Sequence, residues 1–247
     1  RGVHEREAVE SGAGRLEPRA TEGELVGLMA ERYTDFKRRH AGETIYVVGS
    51  GATLDYVPRG FFDGKIVVCI NRSGEALGLD EFYSVTHYHL DAHILADARP
   101  DLPVIVPMVE QGIGYPALTR PTQLNVFFVQ TNPQMYSQFD CAEHWPTHDD
   151  HLVCGPTSLH MGMHFAAYLG ARFIVLAGAD CGTLDDRDAV DGYAPGDPKP
   201  FTVWEQQLPK VAKKLRQMNV AVMSLNPFVS LALEGHRFRG PTVTING

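Results

Sequence analysis

The chain has 247 residues, 44% of them hydrophobic and 21% charged, with a net charge of −8 at pH 7. That composition belongs to a folded globular chain, long enough to bury a core without disulfides or structural metals. The acidic balance argues against a general nucleic-acid-binding surface, and no apolar stretch approaches the ~20 residues that a membrane span needs.

The first residues, Arg1-Gly2-Val3-His4-Glu5, carry no apolar signal-peptide core, and Cys69, Cys141, Cys154 and Cys181 form no CxxC pair. Free thiols in a reducing, cytoplasmic setting are the expectation. Residues 1–21 are polar and aperiodic, as expected of a loose arm. A single α/β domain is expected over residues 22–247. From Glu22 to His40, Leu25, Leu28, Met29, Tyr33 and Phe36 recur at helical spacing, and Gly42 ends the pattern.

Seven apolar runs then read as strands: Thr44–Val48, Lys65–Ile70, Phe82–Thr86, Val104–Pro107, Leu124–Gln130, Phe173–Ala177 and Val220–Leu225. Several are apolar at consecutive positions, as strands buried on both faces must be. Helical patterns fall between some of them, best at Ser158–Leu169, which stops at Gly170, and at Thr202–Met218. Alternating strands and helices predict an α/β fold, a mostly parallel, Rossmann-like sheet with helices on both faces. Ligands of such sheets bind outside the carboxyl ends of the strands.

The strand ends carry chemistry. After the first strand comes Gly49-Ser50-Gly51-Ala52-Thr53-Leu54. Glycines there let backbone N–H groups approach an anion, and a following helix start would add its positive dipole end. A plain tight turn explains the same residues, and the helix-packing glycine of a dinucleotide fingerprint is missing, which disfavours an ordinary NAD enzyme. Asn71-Arg72-Ser73 follows the second strand, and Gly178-Ala179-Asp180 follows the Phe173–Ala177 strand. Gly155-Pro156-Thr157-Ser158 precedes the best helix, where Thr157 or Ser158 suits an N-cap, and the same groups can hold a phosphate.

Taken in order, these pieces resemble two related groups. Ile45 to Leu54 is similar to the opening turn of the bacterial sialyltransferases that use CMP-sialic acid, and of the archaeal-type 6-hydroxymethylpterin diphosphokinases. Asn71 and the Thr157-Ser158 pair match those sialyltransferases, and the block from Ala167 to Asp180 resembles both groups. Ala52, Thr53 and Leu159 depart from their pattern. The resemblance implies a glycosyltransferase with a nucleotide-sugar donor (CMP- or UDP-linked) and a small-molecule or glycan acceptor. It places Gly49, Ser50, Gly51 and Thr53 near the phosphate, and Asn71 near ribose or phosphate. Thr157 and Ser158 fall on the donor's anionic part, with Gly178 and Asp180 near the nucleoside. The diphosphokinase variant would hold Mg²⁺ on Asp91 or Asp180.

A separate constellation, His87-Tyr88-His89-Leu90-Asp91-Ala92-His93, follows the third strand. His-x-His-x-Asp resembles the zinc run of the metallo-β-lactamase-fold hydrolases, although Ala92 stands where those enzymes carry His. Three readings stay open: a strand-capping, pocket-lining segment; a zinc site on His87, His89 and Asp91; or a metal-free general base, since imidazole titrates near neutrality. His160 and His164, at i and i+4, share one helix face, either lining the pocket or packed in the core. Arg187 and Lys199 are candidates to neutralise a leaving phosphate from a loop over the donor.

Overall fold

The computed structural model describes residues 33–86, 89–107, 125–129, 142, 145–146, 151–153, 157–193, 201–235 and 242–243; of His89, Leu90, Asp91 and His93 it describes the backbone alone. The expected arm at 1–21 and the helical pattern from Glu22 to Arg32 lie outside these residues. The end of that pattern, Tyr33–Phe36, is a 3-10 turn, with Phe36 fully buried.

Seven strands form one parallel sheet. β1 is Thr44–Val48, β2 Ile66–Ile70, β3 Tyr83–Val85, β4 Val104–Pro107, β5 Val126–Val129, β6 Phe173–Ala177 and β8 Ala221–Ser224, in the spatial order β5-β4-β3-β2-β1-β6-β8. A two-stranded parallel pair, β7 (Thr183–Leu184) with β9 (Thr242–Val243), stands apart. The helices are α1 (Ser73–Ala76), α2 (His89–Ala98), α3 (Ser158–Tyr168), α4 (Phe201–Gln217) and α5 (Pro227–Leu233). The α/β, Rossmann-like expectation holds, and the seven expected strands match the sheet to within two residues at either end. α1, α2, α5, β7 and β9 were not expected.

Both faces of the sheet are covered, which is why its strands are apolar at consecutive positions. Ile45, Val47, Val68, Ile70, Ile174 and Leu176 share one core cluster with Met161, Phe165 and Leu169 of the α3 segment and with Leu208, Val211 and Leu215 of α4. On the other face Val48, Val67, Cys69 and Val104 pack with Ala92, Leu95 and Ala96 of α2 and with Leu54 and Phe62. Each fully buried aliphatic side chain contributes roughly 1.5–3 kcal/mol. α3 lies close on the sheet because its Gly162 has no Cβ; one there would run into Ile70 Cδ1. A helix-packing glycine therefore does exist, on α3 rather than after β1.

Connections leave β1 in opposite directions: toward β2 and β3 on one side, and toward β6 and β8 on the other. That reversal is the topological switch point, where the tips of adjacent strands open a crevice. Among the described residues no helix is long and apolar enough to cross a membrane.

Candidate functional site at the strand tips

β1 and β6 run in register, with Val48 beside Ala177, so the Gly49 and Gly178 turns meet directly. Gly49 N–H donates to Ala177 O at 2.8 Å, and Gly51 N–H to Gly178 O at 2.7 Å. Gly178 turns with φ +57, a conformation that costs glycine nothing. Cβ atoms on Gly49 or Gly51 would fall inside 3.0 Å of Gly178 O; that on Gly51 would also strike the Asp180 carboxylate. The two glycines allow the β1 and β6 turns to approach each other closely, whereas their spacing suggests N–H groups turned toward a bound anion.

The group that approaches is the chain's own anion. Asp180 Oδ2 accepts the Thr53 N–H at 3.0 Å, and Oδ1 accepts the Thr53 hydroxyl at 2.6 Å and the Asn226 amide at 2.9 Å. The residue is 5% exposed, so these donors compensate a buried carboxylate that would otherwise be costly. Asn226, just past β8, was not singled out from the sequence. Its signal was a polar amide immediately after an apolar strand run. The helix start expected after the glycine turn is instead a 3-10 segment, Ala52–Tyr56. Five residues of 3-10 helix supply no appreciable macrodipole, so that expected contribution is absent.

The other side of the strand-tip region is built from the end of β2 and the start of α3. Asn71 ends β2 with φ +54, a left-handed conformation that Asn tolerates better than most residues. Its backbone is held by Val85 O at 2.9 Å and by the Ser84 hydroxyl at 3.1 Å. Ser73 Oγ donates to Val48 O at 2.8 Å, tying the β2 tip to the end of β1.

Facing Asn71 is the start of α3. Ser158 Oγ lies 3.4 Å from Asn71 Oδ1, and Thr157 Oγ1 lies 3.4 Å from His160 Nδ1. Both are long for hydrogen bonds involving a hydroxyl. Thr157 occupies the N-cap position with extended backbone (φ −141, ψ 147), but its side chain makes no capping bond. The N-cap expectation therefore holds for the position and fails for the hydrogen bond, because the hydroxyl turns toward His160. Thr157, Ser158 and His160 are all buried.

His164, one turn further along α3, accepts the Val153 N–H on Nδ1 at 2.9 Å, beside the Trp145 ring. Burial pushes its pKa down to about 3. It is a neutral, packed core histidine. Burial likewise pushes the thiols of Cys69 and Cys181, both free, up to about 12; Glu205 and Asp180 add to the effect at Cys181. Neither is a ready nucleophile at neutral pH.

Arg187 does not stand ready for a phosphate. It pairs with Asp55 at 2.6 Å and Asp191 at 2.7 Å. Val190 N–H donates to Ser50 O at 3.0 Å, and Asp191 N–H to Asp55 Oδ1 at 3.1 Å. This strap fastens the 183–193 segment to the β1 turn. Lys199 and His87 lie outside the described residues. His89 and Asp91 open α2, a few residues beyond the β3 tip. No group of three or more His, Cys, Asp or Glu residues is arranged for a metal among the described residues.

No protein-family model matches the chain, and no curated protein matches it. Among solved structures it is similar to the MAf glycosyltransferase from Magnetospirillum magneticum AMB-1, with a TM-score of 0.46 and 15% sequence identity. The match covers 87% of this chain and 41% of that one, so this chain spans about two fifths of that structure's length.

Proposed function

We propose that the chain is a glycosyltransferase that lays a nucleotide-sugar donor, CMP- or UDP-linked, across the strand tips at the switch point. The observation that carries the reading is the gathering at the strand tips of Gly49–Thr53, Asn71, Thr157, Ser158 and Gly178–Asp180; Thr53 and Asp180, which are hydrogen-bonded, lie 127 residues apart in sequence. The donor's anionic part belongs at the start of α3. Its first turn leaves N–H groups that the Thr157 hydroxyl does not cap, and such groups favour phosphate or carboxylate. Asn71 and Ser158 border the ribose and phosphate, and Ser50, Gly178 and the residues beside it border the nucleoside. Catalysis would come from positioning donor and acceptor and from stabilising the leaving phosphate. A base from the run His87, His89 and Asp91 takes the proton of the acceptor hydroxyl, a glycan or small molecule.

The diphosphokinase variant, with Mg²⁺ on Asp91 or Asp180, is the second reading; at Asp180 three protein donors compete with the metal for the carboxylate oxygens. Thermal denaturation with CMP, UDP, GDP and ATP, each with and without Mg²⁺, tests the proposal. At 100 times its Kd a cognate ligand stabilises by about 2.7 kcal/mol. Stabilisation by a pyrimidine nucleotide without metal is expected. A response confined to ATP with Mg²⁺ would replace this reading with the diphosphokinase one.

A further inference from the structure

We infer that Asp180 and Asn226 are positioning residues: Asp180 is a built-in anion that sets the Gly49–Thr53 turn from within, and Asn226 holds that anion in place. The inference rests on the ligand site proposed above and changes the part Asp180 plays in it, from ligand contact to internal clasp.

Three adjacent strand tips meet at one carboxylate. β6 lies between β1 and β8 in the sheet. Asp180 follows β6, Thr53 follows β1 and Asn226 follows β8. Oδ1 receives the Thr53 hydroxyl and the Asn226 amide, and Oδ2 receives the Thr53 N–H. Gly51 leaves the space that the carboxylate fills, and Gly178 makes the turn that aims it there. Three of the roughly four acceptor sites of the carboxylate are taken by protein donors, so most of its hydrogen-bonding capacity is spent within the fold. Asp180 therefore acts through the turn it holds. Asn226 is required because, of the three bonds, it alone comes from outside the turn.

The inference separates two kinds of change at the same site. Thr53→Ser keeps both donors and should leave the turn intact, whereas Thr53→Val keeps the shape and removes the hydroxyl. Asn226→Leu removes the third donor. Because both losses pass through one carboxylate, their effects should be non-additive in a double-mutant cycle.

The test uses the full chain, with amide hydrogen exchange across residues 49–56 and equilibrium binding of CMP and UDP, at temperatures where every variant is folded. The expected result is a protected Thr53 amide in the wild type and Thr53→Ser. In Asp180→Asn, Thr53→Val and Asn226→Leu, exchange should be at least tenfold faster and nucleotide affinity about tenfold weaker. An unprotected Thr53 amide in the wild type would overturn the clasp. So would additive effects in the double variant, or variants that bind nucleotide as the wild type does. If the wild type binds neither nucleotide, the ligand-site reading fails and the clasp is judged on exchange alone.

Discussion

The two banks of the strand tips differ in how their polar side chains are held. On the β1–β6–β8 side, hydrogen bonds of 2.6–3.0 Å join Thr53, Asp180 and Asn226, and glycine N–H groups are committed to neighbouring carbonyls. On the β2–α3 side, the contacts of Ser158 with Asn71 and of Thr157 with His160 are 3.4 Å long. A tight cluster that hydrogen-bonds its own buried carboxylate is a frame. The Thr157 hydroxyl, which does not cap the helix it precedes, is a group a ligand can recruit at little cost. The glycine turn looks like a phosphate loop in sequence, yet the anion it receives belongs to the protein.

Substitutions can break this contrast, and the largest effect should be on the frame. Gly49→Ala sets a Cβ against the Gly178 carbonyl, a backbone atom that cannot rotate aside. Denaturant unfolding should show a loss toward the upper end of the about 1–3 kcal/mol typical of overpacking. Gly51→Ala should cost somewhat less, because a side-chain carboxylate shares the clash, but it should displace Asp180 and speed exchange at Thr53.

The α3 bank is anchored below its tip, at His164. Replacing His164 by Leu orphans the buried Val153 N–H and should cost about 1–3 kcal/mol. The pH signature is sharper. The folded-state pKa lies at about 3, below the ordinary value near 6.5, so between those values the unfolded chain binds the proton and the folded chain does not. The contribution is fully present above about pH 6.5 and is lost as pH falls toward 3, with a limiting slope of about 1.4 kcal/mol per pH unit. His164→Leu should flatten that part of the stability–pH curve. An unchanged curve would mean that the ring is not buried and neutral.

Smaller still is Thr157→Ala. A hydrogen-bonding N-cap is worth about 1 kcal/mol; since this hydroxyl does not cap, the loss of stability should fall well below that. A full capping loss would show that the two banks are alike. Arg187→Ala should move the melting temperature little and accelerate exchange of the Val190 amide, because Arg187 and Asp191 are solvent-exposed and Asp55 keeps its bond from the Asp191 N–H.

The frame was legible in parts. β1, β4 and β6 are bounded in sequence by glycine, proline and polar residues, and their limits follow from that. The glycine turn was visible for the same local reason. Its occupant was not, because Asp180 lies 127 residues beyond Thr53, and no local pattern couples them. α2 is masked in sequence by its own polar residues, because His89 and Asp91 have the spacing of metal ligands. Ala92, Leu95 and Ala96, buried at helical spacing, carried the signal that marks a helix. A dinucleotide fold keeps its packing glycine after β1, and this chain has none there. Gly162 performs that packing from α3, the helix that lies on the face of β1 and β2.

The account turns on whether the β2–α3 bank receives a phosphorylated ligand. Calorimetric titration of the wild type and of the Thr157→Ala/Ser158→Ala double variant with CMP and UDP asks this directly. Saturable binding of at least one nucleotide, weakened tenfold or more in a double variant of unchanged melting temperature, is the predicted result. Equal affinity in both proteins, or no heat of binding in either, would contradict it.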